Sequence, residues 1–121
     1  MSELYSGQNQ AGQNTQTKTT QLKSSVTSLN HISIKKVSLV FRALNHKLRL
    51  EILKFIENNG KSSVTDIYIQ LRMDQSVASQ HLAILRRAGL LTTNREGKYV
   101  FYRLNTSKIE MINNMIVDLL K

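Results

Sequence analysis

Apolar side chains return at helical spacing through most of this chain and crowd into strand-like runs in one stretch near its end. Ile32, Ile34, Val37, Val40, Phe41 and Leu44 recur with Lys35, Lys36 and Arg42 between them, which predicts a first amphipathic helix over about 31–43. Leu22, Val26 and Leu29 continue that spacing backwards from Ile32 or Ser33, leaving room for an earlier start. Asn45 or His46 interrupts the pattern. A second helix follows over about 46–58, where Leu48, Leu50, Ile52, Leu53, Phe55 and Ile56 leave little purely polar face, as expected of the central core helix. Asn58, Asn59 and Gly60 stop it, because Asn and Gly tolerate the left-handed conformation at a helix C-terminus.

Lys61, Ser62 and Ser63 read as a short extended link, and Val64 to Leu71 as a short helix. Arg72, Met73 and Asp74 make a turn. Asp74 suits the N-cap of a helix over about 75–88, its carboxylate accepting backbone N–H groups, with Ala78, Leu82 and Leu85 on one face and Gly89 at the end. Leu90 to Asn94 and Lys98 to Leu104 are rich in Leu, Thr, Tyr, Val and Phe. With Asn94 to Gly97 between them they predict a hairpin closed by a three-residue loop or bulge. Ser107 and Glu110 have the spacing of a capping box for a final helix. Its stripe is Ile109, Ile112, Met115 or Ile116, and Leu119, widened by Met111, Val117 and Leu120.

Composition narrows the function classes. The 121 residues carry 17 Lys and Arg against 8 Asp and Glu, a formal charge of +9, and contain no Cys, Trp or Pro. Without cysteine, disulfide scaffolds, zinc ribbons, iron–sulfur centres and thiol nucleophiles are excluded. No apolar run reaches the ~20 residues needed to span a bilayer, and no signal-peptide stretch opens the chain, so a soluble, cytoplasmic protein is expected. Residues 1–28 are mostly Gln, Asn, Ser and Thr, with Glu3, Lys18 and Lys23 as their only charges, and read as a disordered arm. The domain, 29–121, therefore holds nearly all of the net charge, which favours polyanionic partners. The carboxylates form no evident acid–base pair, and there is neither a Gly-rich phosphate loop nor a nucleophile elbow, so no enzyme is expected.

A short helix, a turn, a second helix and a basic-tipped hairpin follow in the order of a winged helix-turn-helix, a mainly α fold (α+β) of about five helices and a wing. Gln75, Ser76, Val77, Ser79 and Gln80 lie in the first turns of the second helix, where base edges are met; Gln pairs with adenine, and Ser donates or accepts. Arg86, Arg87, Arg95 and Lys98 are placed for phosphates or a minor groove. Lys61, Ser62 and Ser63 form a further backbone clamp, and His81 joins this group. His31, His46 and His81 share no ligand spacing, so neither metal nor cofactor is expected. Met111 and Met115 read as packing residues, as does Phe101. Tyr99 and Tyr102 are left open between packing and base stacking.

The segment DQSVASQHLAILRRAGLL, 74–91, resembles the signature of the ArsR/SmtB family of bacterial transcriptional repressors. Ala43, Leu44 and RLEIL at 49–53 resemble its second-helix motif, and GKYVFYRL at 97–104 its wing. The resemblance, which covers about 35–120, implies a homodimer built on the first and last helices, binding an imperfect palindrome of duplex DNA and repressing transcription. The dimer residues would be Val37, Val40, Phe41, Ile109, Ile112, Met115, Ile116 and Leu119. His46 and Lys47 stand where the family commonly has Asp-Pro, so the second helix needs another cap, Asn45 being the candidate. Ser63 and Thr65 occupy the positions of the metal-sensing Cys-x-Cys, and 106–121 contains no His for the other family site. Hydroxyls are poor ligands for soft ions. Neither sensing site is expected, and the effector is left unknown. A winged helix turned to RNA or protein would more often expose apolar anchors, and a membrane-surface protein would need an uncommitted basic amphipathic helix.

Overall fold

The computed structural model describes residues 26–121; the expected disordered arm lies outside the described residues as far as residue 25. A 3-10 turn, Val26–Ser28, precedes α1 (His31–Leu44), α2 (Lys47–Asn59), β1 (Ser62–Ser63), α3 (Val64–Gln70), α4 (Gln75–Arg87), β2 (Leu91–Glu96), β3 (Tyr99–Leu104) and α5 (Thr106–Leu119). Two compact units are distinguished, the boundary falling between Lys36 and Val37 inside α1. The described part of the first, 26–36, has exposed side chains. In it Asn30 Oδ1 accepts from the Ser33 N–H at 3.0 Å, so the α-helix starts after residue 30 and does not continue the spacing that runs back to Leu22.

The second unit, Val37–Lys121, holds the core. Ile52, Leu53 and Ile56 of α2 meet Ile67 of α3, Ala78, Leu82 and Leu85 of α4, and Leu90 and Leu91 beyond it, with Ala43 and Ile112 closing the cluster. Burying each of the larger side chains contributes about 1.5–3 kcal/mol. This apolar set fixes the angle of α4, because Ala78, Leu82 and Leu85 are all at 0% exposure and rotate the opposite face outward.

Two expected caps are replaced and a third makes no side-chain bond. The Asn45 N–H still bonds the Phe41 carbonyl at 2.9 Å, so Asn45 finishes α1, and His46, with extended backbone, caps α2 by accepting from the Leu48 N–H on Nδ1 at 3.2 Å. Asp74 occupies the N-cap position of α4 but makes no side-chain cap bond. Asn105, not Ser107, caps α5: its Oδ1 accepts from the Lys108 N–H at 3.3 Å and from the Ser107 hydroxyl at 3.0 Å. The capping box does occur at Ser63, whose hydroxyl accepts from the Asp66 N–H while the Asp66 carboxylate accepts from the Ser63 N–H.

The sheet has three strands in the order β1-β3-β2, all antiparallel. The expected link at Ser62 and Ser63 is a strand, pairing with Tyr102 and Phe101. β2 runs on through Asn94, Arg95 and Glu96, and Glu96 pairs with Tyr99, so the loop is the two residues Gly97 and Lys98 and not the expected three. Gly97 has φ +66° and Lys98 does not share the positive sign, the pattern of a type II′ turn, whose twist suits the strands.

Candidate nucleic-acid interface

The segment Leu71 to Asp74 turns α3 into α4, with Arg72 at φ +55° and the Met73 N–H bonded to the Tyr68 carbonyl at 3.0 Å. On α4, Gln75, Ser76, Ser79 and Gln80 are exposed and Val77 is half-buried, opposite the buried stripe. Among the described residues, none of these four polar side chains is tied up in a hydrogen bond. At the other end the Leu90 N–H reaches the Leu85 carbonyl and the Gly89 N–H the Arg86 carbonyl, a Schellman closure that leaves Arg86 and Arg87 exposed. Gly89 sits at φ +80°, a conformation that calls for glycine, while the nearest atom to a Cβ there is the movable end of the Lys108 side chain, 3.2 Å away.

The wing presents a second basic surface. Arg95, near the end of β2, and Lys98, in the turn, are exposed and make no ion pair among the described residues. Glu96 sits between them but is engaged by Lys61 at 2.5 Å, by Arg103 at 3.1 Å and by the Asn94 amide at 3.3 Å. The Lys61 hydrogen bond, aided by the charges of Lys61 and Arg103 and by Asn94, holds the Glu96 carboxyl below its ordinary range; partial desolvation pulls the other way. Tyr99 is exposed with its ring 6.3 Å from that of Phe101, whereas Tyr102 packs on the core.

Four members of the expected backbone-contacting set are engaged elsewhere or buried. Of the clamp, Lys61 is paired with Glu96 and lies over the Phe101 ring, Ser62 is 1% exposed with its hydroxyl unpartnered, and Ser63 is spent capping α3. Ser62 therefore has no surface to offer a phosphate, and Lys61 offers a charge already compensated. His81 is half-buried against α2, its Nδ1 3.3 Å from Arg49 Nη1 and its ring 4.8 Å from that of His46. Burial first, then the charges of His46 and Arg49, lowers its pKa from 6.5. Among the described residues no three His, Asp or Glu side chains gather where a metal ion could be held.

The expected dimer residues divide by exposure. Ile112 is buried, and Val40, Phe41, Ile109 and Ile116 pack partly against the core. Val37 and Met115 are each 43% exposed and Leu119 78%. Met111, Val117 and Leu120 add to the apolar surface of α5. An open groove of ≈ 930 Å³ runs beside them, floored by Phe41, Leu44, Leu53, Ile109 and Ile116.

Sequence reasoning misses three residues that position this surface. Arg49, at 9% exposure, donates from Nε to the Ala43 carbonyl at 2.7 Å and from Nη2 to the Arg42 carbonyl at 3.2 Å, closing the end of α1. Asn105 ties the end of α4 to the start of α5 through the Gly89 and Leu90 carbonyls. Glu96 orders the base of the wing. The place of Arg49 at the head of RLEIL, on the otherwise apolar face of Ile52, Leu53 and Ile56, is the one signal that points to the first.

The profile of the family described as "Bacterial regulatory protein, arsR family" matches residues 46–93, from the α2 cap to β2. The transcriptional activator HlyU of Vibrio cholerae is 35% identical over 81 residues, 67% of this chain and 74% of that protein. The crystal structure of the transcriptional repressor PagR of Bacillus anthracis superposes with a TM-score of 0.59 at 29% identity, covering 72% of this chain and 99% of that one. A homodimeric winged helix-turn-helix DNA-binding domain from Mycobacterium bovis does so with a TM-score of 0.60 at 27% identity, covering 72% and 82%.

Proposed function

Because the chain belongs to the ArsR family of winged helix-turn-helix transcriptional regulators, we propose that it is a homodimeric repressor that reads an imperfect palindrome of duplex DNA through α4. The observation that carries this is the division of α4. One face is wholly buried, and the other displays Gln75, Ser76, Ser79 and Gln80 with their hydrogen-bonding capacity uncommitted. Arg86, Arg87, Arg95 and Lys98 extend the same basic surface toward phosphates.

Dimerisation is supported by the apolar side chains that α1 and α5 leave outside, and by the homodimeric Mycobacterium bovis domain. Regulation without the family's thiol switch is supported by Ser63, whose hydroxyl caps α3. The reading assigns the protein no catalysis. It places the regulator with the chromosome in the cytoplasm, and among the described residues no helix is long and apolar enough to cross a membrane.

Selection of bound fragments from a random duplex pool tests the reading. Two half-sites related by a dyad and centred one helical turn apart, about 34 Å, are expected. An enriched motif without symmetry would remove the dimeric palindrome, and no enrichment would remove sequence-specific recognition.

A further inference from the structure

A second cavity, of ≈ 500 Å³, lies between the C-terminal part of α1 and the C-terminal half of α4. Leu39, Ala43, Ile84 and Ala88 supply its apolar wall, and Arg42, Arg49 and Arg87 its polar atoms; no carboxylate lines it. Arg42 and Arg87 are exposed and join no ion pair among the described residues. Arg49 is buried and uses three of its five N–H groups, on the Ala43 and Arg42 carbonyls and His81, leaving two donors without an acceptor among the described residues.

Compensation of helix ends does not account for this much charge. The C-termini of α1 and α4 together present a partial charge of about −1, against three guanidinium groups, which leaves about +2 beside an apolar wall. Nor does the stripe belong to the surface assigned to the dimer. Leu39, Arg42 and Ala43 follow i, i+3, i+4 spacing on one side of α1, and Val37, Val40, Phe41 and Leu44 lie on nearly the opposite side. Pockets of this size, mostly apolar with a few convergent polar groups, suit small organic ligands.

We propose that this cavity is an effector site for a small amphipathic carboxylate, its acid group held by Arg42, Arg49 and Arg87 and its carbon chain lying along Leu39 and Ile84. The regulatory consequence rests on the DNA-binding reading above. Arg87 is also a proposed phosphate contact, so the bound carboxylate competes with the DNA backbone for it and weakens duplex affinity.

Sodium octanoate is the probe, with octanamide as its uncharged counterpart, and binding to the full chain is measured by calorimetry without DNA. Octanoate is expected to bind one site per chain and octanamide at least tenfold more weakly. Leu39→Asp and Arg87→Gln, both at exposed positions, should each weaken octanoate at least tenfold. Leu50→Asp, in the α1–α5 groove that shares Arg42 but not Leu50 with this cavity, should leave it unchanged. Absence of octanoate binding, equal binding of octanamide, or indifference to both cavity variants overturns the site. Fluorescence anisotropy of a labelled 30-base-pair duplex then reads the coupling, and saturating octanoate should lower affinity at least threefold. Unchanged affinity with octanoate bound overturns the effector role, whereas a duplex that never binds at low salt defeats the DNA-binding reading and leaves the calorimetric result standing.

Discussion

Arg49 and His81 meet at 3.3 Å where the end of α1, the start of α2 and the middle of α4 converge. An arginine keeps its protons at any ordinary pH, so Nη1 is the donor and His81 Nδ1 the acceptor, which places the imidazole proton on Nε2 and leaves the ring neutral. The same guanidinium holds the last carbonyls of α1. The orientation of the recognition helix is thereby linked to the ionisation of one side chain.

The sign of the pH dependence follows. The His81 pKa is lowered in the folded chain, chiefly by burial and then by His46 and Arg49, so between that lowered value and 6.5 the unfolded chain binds the proton and the folded one does not. Stability from this residue is complete above pH 6.5 and is lost as the pH falls through 6.5 toward the folded value. Melting temperatures measured between pH 5 and pH 8 should rise with pH over the lower half of that range. His81→Gln should flatten the rise, and an unchanged profile in that variant would remove His81 as its source.

Arg49→Ala should cost about 3 kcal/mol, because it strips hydrogen bonds from the Ala43 carbonyl and empties a buried site. Arg49→Lys should recover only part of this, since an ammonium lacks the planar fork that serves both carbonyls and His81. Urea unfolding of the three proteins checks the order. Equal stability of the Lys variant and the parent would show that charge alone, and not the fork, matters.

The features visible in the sequence are those set by local periodicity. Ala78, Leu82 and Leu85 mark the inner face of α4, and their spacing leaves Gln75, Ser76, Ser79 and Gln80 outside; both are properties of a single helix. What was not visible depends on partners distant in the chain. Ser62 and Ser63 become a strand only because Tyr102 and Phe101 come alongside, and Lys61 loses its free charge only because Glu96 does. His46 caps α2 because Asn45 is still bonded into α1, a competition between neighbours that propensity alone cannot decide. Arg49 reads as a surface charge until the end of α1 is folded over it.

Ser62→Ala should stabilise the chain by about 1 kcal/mol, since the hydroxyl is buried without a partner and its desolvation is uncompensated. Duplex affinity should not change, because the side chain has no surface. A loss of affinity in a variant that folds normally would restore Ser62 to the backbone contacts.

Gln75→Ala or Gln80→Ala should cost about 1–3 kcal/mol on the selected site and little on random duplex, because a base-edge contact is lost. Arg95→Ala and Lys98→Ala should weaken every sequence alike and, each residue being present twice in the dimer, reduce the slope of log affinity against log salt by about 2 each. If the two pairs of variants cannot be told apart across sequences and salt, the division between base reading at the start of α4 and phosphate contact at the wing is wrong.

Met115→Glu and Leu119→Glu test the dimer. Both side chains are exposed within the single chain, at 43% and 78%, so a charge there leaves the core of α2, α3 and α4 untouched and the secondary structure should persist. Placed where two copies meet, the same charge would be desolvated opposite its own symmetry mate, an arrangement that isologous contact cannot relieve. Sedimentation at micromolar concentration should show a dimer for the parent and a monomer for the double variant. With one α4 and one wing in place of two, the variant should make half the phosphate contacts, and its salt slope should fall to about half. A double variant that stays dimeric, or a monomer that keeps the full slope, would place the two-copy contact elsewhere than on α5.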